Sequence, residues 1–222
     1  TVVDECRDQI ADCKVPIQIG FNRRFDPSHS ALREAVQKGE IERIEKLIIT
    51  SRDPAPPPAD YLKIAGGLYR DMMIHDFDLA RFIMAEEPAE ISAIGSALVD
   101  PEIASLGDID TAMVIMKMVS GALCHINCSR RSVYGYDQRI EAFGSGGMLL
   151  SNNHTRTTLE HYGKQATAAR EPLLHFFIER YSEAYFNQIN AFVDAVEQGG
   201  TVAPCFEDGR IPPILPTSFV SV

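Results

Sequence analysis

Residues 111–129 read TAMVIMKMVSGALCHINCS. Apolar side chains recur at every second position through 111–118 and again through 122–129, the period of strands with one buried face. Val119-Ser120-Gly121 between them is too short for a crossover and carries a glycine suited to a hairpin turn. Strands joined so tightly pair antiparallel. The same period runs through ISAIGSALV (91–99) upstream, and through QRIEAFG (138–144) and TTLEHY (157–162) downstream. Gly144-Ser145-Gly146-Gly147 supplies a second hairpin turn. From Ile91 onward the chain is therefore expected to form an open, largely antiparallel sheet.

Upstream of that sheet the period is helical. Residues 2–13 (VVDECRDQIADC) place apolar side chains at helical spacing, and 15–20 (VPIQIG) read as a short buried strand. Such a strand needs parallel neighbours, which these residues do not supply, so 1–26 are expected to be the remnant of an α/β domain. A second helix is expected over 28–38, capped by Asp26 or Ser28 and stopped at Gly39. KLIITS (46–51) is a strand rich in branched residues, and DPAPPPAD (53–60) an extended loop. Gly66-Gly67 leads into a long helix ending near Glu86-Glu87-Pro88, and a late amphipathic helix over 177–198 should cover one face of the sheet. The fold class is thus α+β, with the sheet and its helices in one unit over 27–210. The final IPPILPTSFVSV (211–222) holds three prolines and is expected to be an irregular tail.

With 222 residues, 45% hydrophobic and 23% charged, the composition is that of a globular chain with a sizeable core. A net charge of -10 disfavours nucleic acid and anionic membrane surfaces as partners. The sequence has no apolar run of membrane-spanning length. Five cysteines, an odd and sparse set, fit a reducing cytoplasm. Cys124 and Cys128 lie two pleats apart with no second pair to complete a zinc site, so no metal is expected there. The first residue is Thr1 rather than Met, which suggests a fragment.

The chemistry concentrates in residues 70–82, RDMMIHDFDLARF. On one continuous helix Asp71, His75 and Asp78 would share a stripe at i, i+4 and i+7, while Met73, Phe77, Ala80 and Met84 would make a separate apolar one. Burying the polar three without partners would cost several kcal/mol, so they need a reason to be there. Spacing alone leaves three readings open: a structural Asp–His pair, a metal site, or a general base whose tautomer a carboxylate fixes during oxidation of an alcohol.

Four segments tip this choice. GFNRRFDPSHSALREAVQKGEIE (20–42), ITSRDPAPPP (49–58), GGLYRDMMIHDFDLARF (66–82) and RRSVYGYDQRIEAFGSGGM (130–148) occur in the order and wording of the inositol 2-dehydrogenases. The chain resembles that branch of the Gfo/Idh/MocA oxidoreductase family from about Thr1 to Arg210. The D-x-x-x-H-D-x-D motif is shared across the family, whereas SRDPAPPP and RRxxYGYDQR look specific to the branch. The resemblance implies a Rossmann domain, of which 1–26 would be the last helix and strand, followed by the α+β domain. It implies a homo-oligomer, a tetramer, built through the antiparallel sheet.

It further implies oxidation of a secondary alcohol of myo-inositol or a related cyclic polyol or sugar to an inosose, with hydride passing to NAD (NADP being the alternative). Asp71 and His75 would be the catalytic pair. Asn22 and Arg23 would approach the cofactor; Arg23, Asp53 and Tyr136 would contact substrate, with Tyr134 a weaker candidate on the same pleated face. The family's Gly-rich dinucleotide fingerprint and its Glu-Lys-Pro lysine have no counterpart in these 222 residues. The chain alone is accordingly expected to be inactive, and a non-catalytic polyol-binding or oligomerisation remnant is the competing expectation.

Overall fold

The computed structural model describes residues 2–10 and 15–210. Helix α1 (Val2–Ile10) is followed by a short 3-10 turn (Asn22–Phe25), α2 (Pro27–Gln37), β1 (Ile44–Arg52), α3 (Ala59–Ala65), α4 (Leu68–Asp71) and α5 (Ile74–Met84). Then come β2 (Pro88–Ser96), α6 (Pro101–Ser105), β3 (Thr111–Met118), β4 (Leu123–Ser129), β5 (Asp137–Gly144) and β6 (Gly147–Ser151). The short β7 (Glu160–His161) and β8 (Ala169–Arg170) precede α7 (Phe177–Arg180), α8 (Ser182–Glu197) and α9 (Phe206–Arg210). The irregular tail expected over 211–222 lies outside the described residues, as do positions 11–14.

The architecture is α+β. Six strands form an open sheet in the order β2-β3-β4-β1-β5-β6. Every neighbouring pair is antiparallel except β1 with β4, which run parallel. The hairpin between β3 and β4 turns at Gly121, whose φ of 90° is costly for other residues. At the β5–β6 turn, a Cβ on Gly144 would lie 2.4 Å from the Ile41 carbonyl oxygen, so only glycine fits.

One face of the sheet carries the core. Leu47 and Ile49 of β1, Val114 and Met116 of β3 and Ile126 of β4 are buried against Leu32 and Val36 of α2 and Phe77, Ala80 and Ile83 of α5. Cys124 and Cys128 are buried free thiols in this layer. Helix α2 starts where its sequence says it should: Asp26 Oδ1 accepts from the Ser28 and His29 amides at 3.1 Å each, and Pro27 occupies the first turn.

Four expectations are corrected. Residues 15–20 form no strand; Val15 is 68% exposed, because a strand without ladder partners has nothing to pair with. TTLEHY contributes only the two residues of β7. The late helix breaks at Tyr181, and its long part does not cover the sheet. Instead Asn187 and Gln188 donate to the Phe25 and Ile19 carbonyls, fastening α8 to the segment around the 3-10 turn.

The fourth correction concerns the helix of residues 70–82. It is interrupted at Met72-Met73, where the Met73 amide donates to Leu68 O, five residues back, and Asp76 N donates to Met73 O, three back. This local widening and tightening lets both methionines enter the core, with exposures of 5% and 0%, and takes Asp71 off the stripe of His75.

Candidate active site

The break in that helix lies beside a cleft of about 720 Å³. Asn22, Arg23, Asp53, Asp71, His75 and Tyr136 all line it, although they come from the 3-10 turn, the end of β1, α4, α5 and the approach to β5. All six residues expected at the site from sequence are therefore brought together. Tyr134 is not. It lies in the turn before β5 and shares no pleated face with Tyr136, and its hydroxyl donates to Asp137 at 2.6 Å.

Arg23 is the fixed cation at the base of the cleft. Its Nη1 donates to Asp76 Oδ1 at 2.6 Å, and its Nη2 to the Tyr136 hydroxyl at 3.3 Å. Beneath it Ser51, Gln138 and Tyr181 share hydrogen bonds, so the charge sits on a pre-organised polar floor. Next to it Arg24 makes a two-pronged pair with Asp78, through Nε at 2.9 Å and Nη2 at 2.5 Å. The two arginines of GFNRRFD, Arg23 buried and Arg24 partly so, are thus the partners of the two later aspartates in the D-x-x-x-H-D-x-D motif.

Asp71 is held differently. Arg130 Nη2 donates to its Oδ2 at 2.8 Å, and the Tyr61 hydroxyl to its Oδ1 at 2.5 Å. The Asp71–His75 hydrogen bond expected from the i, i+4 spacing is not formed, because the break has moved Asp71 out of line. His75 Nδ1 is buried with no hydrogen-bond partner, and its ring meets Phe21 edge-on at 5.9 Å. Burial, with Arg23 adding to it, pushes the imidazole down to about 3, so it is neutral at physiological pH. A neutral ring is the form that accepts a proton.

Asp53 has the opposite shift. Burial pushes its carboxyl up to about 6, with Arg23 and Arg130 opposing and Asp76 and Asp71 adding. Two neighbouring ionisable groups with pKa values driven in opposite directions are a recurrent property of acid–base sites.

Several cleft residues were missed from sequence: Tyr61, Arg130, Phe176, Tyr181 and Tyr185. Arg130 opens the RRxxYGYDQR segment, one of those that carry the resemblance. The tyrosines at 181 and 185, one helical turn apart, carried no signal beyond core packing. Beyond His75 lies a second hollow of about 300 Å³ lined by Ile19, Gly20, Phe21, Ile74 and Phe206. His75 thus lines both hollows, the larger of which mixes charged and hydroxyl groups with an apolar wall. Among the described residues no group of three His, Cys, Asp or Glu side chains is arranged to hold a metal ion, and no helix is long and apolar enough to cross a membrane.

Comparison with known proteins gives this geometry a context. A family model described as GFO/IDH/MocA C-terminal domain matches residues 29–150. An inositol 2-dehydrogenase of Rhizobium meliloti (strain 1021) is 45% identical over 207 residues, covering 93% of this chain and 62% of the relative. A myo-inositol 2-dehydrogenase of Thermotoga maritima is 47% identical over 209 residues, covering 94% of this chain and 62% of the relative. The solved scyllo-inositol dehydrogenase of Lactobacillus casei with bound NAD(H) and scyllo-inositol is similar with a TM-score of 0.83 at 28% identity, covering 93% of this chain and 62% of that one. The chain therefore spans about three fifths of the length of the proteins it matches.

Proposed function

The chain belongs to the GFO/IDH/MocA C-terminal domain family, and from that premise we propose that it is the substrate-binding part of an NAD-dependent inositol 2-dehydrogenase. The reaction is oxidation of a ring secondary alcohol of myo-inositol, or a related cyclic polyol, to the ketone. The observation that carries this reading is the convergence of Asn22, Arg23, Asp53, Asp71, His75 and Tyr136 on one cleft. A cyclic polyol presents hydroxyls in every direction, and a cleft ringed by carboxylates, an imidazole, a phenol and a guanidinium offers each a partner.

In this reading His75 is the general base: neutral, and at the boundary of the two hollows, it takes the hydroxyl proton as the alcohol is oxidised. Asp71 and Asp53 accept hydrogen bonds from neighbouring hydroxyls and orient the ring. A hydroxyl seated between Asp71 and His75 links the two groups that the helix break separates. Arg23, paired with Asp76, fixes Tyr136 at the floor of the cleft.

The residues next to His75 suit the cofactor. The hollow behind His75 is apolar, which fits a flat ring, and Asn22 Nδ2, which lines the cleft and not that hollow, is a buried donor with no partner that fits the ring's carboxamide. Asn22 would hold that end, with Arg23 alongside. When bound, NAD supplies the hydride acceptor. Because the relatives extend well beyond the matched region, we assign residues 1–26 to the end of a dinucleotide-binding domain and 27–210 to the substrate domain. A cytoplasmic location and a homo-oligomer, a tetramer, formed through the open sheet face belong to the same proposal.

The test is NAD-dependent oxidation of myo-inositol, followed by NADH absorbance, in a full-length enzyme that joins this chain to a dinucleotide-binding domain, with and without His75→Ala. Loss of the base should lower kcat by roughly 10²-fold or more. Near-wild-type turnover would remove His75 from the role.

A further inference from the structure

Asp71 has two holders of opposite character. Arg130 is 1% exposed at its side chain and takes Oδ2 at 2.8 Å, from a backbone position whose own amide donates to the Asp110 carbonyl at 2.8 Å. Its side chain is enclosed in the interior. Tyr61, on Oδ1, is 46% exposed and stands on the seven-residue α3. That helix runs from the proline-rich wall of the cleft to Gly66 and Gly67, with φ of 87° and 88°, which join it to α4. Only Leu62 of α3 is buried. The hydrogen bond to Asp71 holds the Tyr61 proton, raising its pKa above the usual phenol value.

We propose that Tyr61 is a stand-in for substrate: its hydroxyl holds Asp71 Oδ1 until a hydroxyl of a cyclic polyol takes over that hydrogen bond, while Arg130 keeps Oδ2 and so fixes the carboxylate throughout. The inference rests on the reading of the cleft as a polyol site. Its physical basis is exchange. One O–H donor replaces another on the same oxygen, so Asp71 loses nothing, and the released phenol is exposed enough for water to satisfy it. The carboxylate does not have to reorganise, because its other oxygen never leaves Arg130.

Exchange also gives selectivity. A ring with a hydroxyl at the matching position displaces Tyr61, whereas a deoxy ring leaves Tyr61 on Asp71 and forgoes the contact. Tyr61 and Arg130 are thus positioning residues that act through Asp71, and Tyr61 sets a threshold that only a correctly placed hydroxyl passes.

The chain has seven tyrosines and no tryptophan, and Tyr136, Tyr181 and Tyr185 line the cleft beside Tyr61, so the difference in emission change between wild type and a Tyr61 variant reports on this exchange. The experiment titrates myo-inositol into the wild-type chain and into Tyr61→Phe, reading emission and calorimetric binding together. In the wild type, binding should change the emission as a phenol leaves a carboxylate. In Tyr61→Phe that change should shrink by the Tyr61 contribution, while affinity rises about threefold to tenfold because a competing hydrogen bond worth about 1 kcal/mol has gone. Unchanged or weaker binding by Tyr61→Phe, or an emission change in it as large as in the wild type, would overturn the exchange and leave the polyol reading standing. Failure of the wild type to bind any myo-inositol would overturn the polyol reading, and the exchange with it.

Discussion

Arg23 Nη1 lies 2.6 Å from Asp76 Oδ1, with the two side chains 6% and 0% exposed. The pair joins the 3-10 turn to α5 at the base of the cleft, and neither charge has water to fall back on. Burial of this kind makes the pair costly to break and cheap to replace. Arg23→Met should destabilise the fold by about 3–5 kcal/mol, because Asp76 is left charged or forced to protonate in the interior. Joining it with Asp76→Leu should recover most of that loss. Urea denaturation of the single and double variants measures both numbers. A double variant no more stable than Arg23→Met alone would mean that the guanidinium acts through Tyr136 and Ser51 rather than through Asp76.

Asp53 gives the cleft a pH response. Burial raises its carboxyl to about 6, so it ionises as the pH rises through that value. Its stability contribution has the sign of a raised pKa: fully present below the ordinary carboxylate range, and lost as the pH passes about 6. Ligand binding should move the other way, since the ionised form offers both oxygens as charged acceptors, whose hydrogen bonds from hydroxyls are stronger than those to a neutral carboxyl. Affinity for myo-inositol is expected to rise between about pH 5 and about pH 7 and to level off above. Asp53→Asn should remove that step. Calorimetric titrations across this range decide it, and an equal rise in the variant would assign the step to another group.

Much of the site was legible because its residues sit in four contiguous segments. What those segments could not show is how the pieces meet. Alternation over 111–118 gave β3 to the residue, since a half-buried strand writes its burial pattern directly into the chain. The parallel pairing of β1 with β4 did not appear, because it joins Lys46 to Leu123 across a long sequence interval. The break at Met72-Met73 was invisible for another reason. Methionine is a good helix former, and the interruption is imposed by the core that takes both side chains and by Arg130, which holds Asp71. Spacing therefore paired Asp71 with His75, while the tertiary structure pairs it with a residue 59 positions away. The same motif's Asp76 was passed over, although it is the aspartate that Arg23 engages.

His29 supplies a second pH signature, outside the cleft. It is 1% exposed, with Nδ1 at 2.9 Å from Ser151 Oγ and Nε2 at 3.4 Å from the Tyr181 hydroxyl. Burial, with Asp26 opposing and Arg180 and Arg23 adding, lowers it to about 3. The unfolded chain therefore binds a proton at this position that the folded chain refuses, between about 3 and the ordinary histidine value near 6.5. The stability contribution of His29 is fully present above that window and is lost as the pH falls through it. His29→Gln, which keeps hydrogen-bonding groups but cannot be protonated, should be less stable than wild type near neutral pH. The gap should close by up to about 1.4 kcal/mol per pH unit on acidification. Thermal melts of both proteins at several pH values test this, and a gap independent of pH would contradict the buried neutral ring.

The open face of the sheet makes the last prediction. Ile94 of β2 sits opposite Met113 of β3, and Phe143 of β5 opposite Met148 of β6, all on the side away from α2 and α5. Ile94, Met113, Ile115, Met148 and Leu150 are each more than half exposed. These apolar side chains, on β2–β3 and on β5–β6 with the polar His125 and Asn127 of β4 between them, expose more apolar surface than a monomer ordinarily leaves in water. Two such faces brought together by a twofold axis would bury it in a self-complementary contact. The hydrophobic gain is about 25 cal/mol for each Å² removed from water, and a charge placed in the centre would have to be desolvated against it. Ile115→Lys, at the middle of β3, should therefore shift the protein from oligomer to monomer without unfolding it, since the substituted side chain already faces solvent in the single chain. Light scattering on the wild type and the variant reads the result. A wild type that is monomeric at every concentration would leave this face without the partner proposed for it.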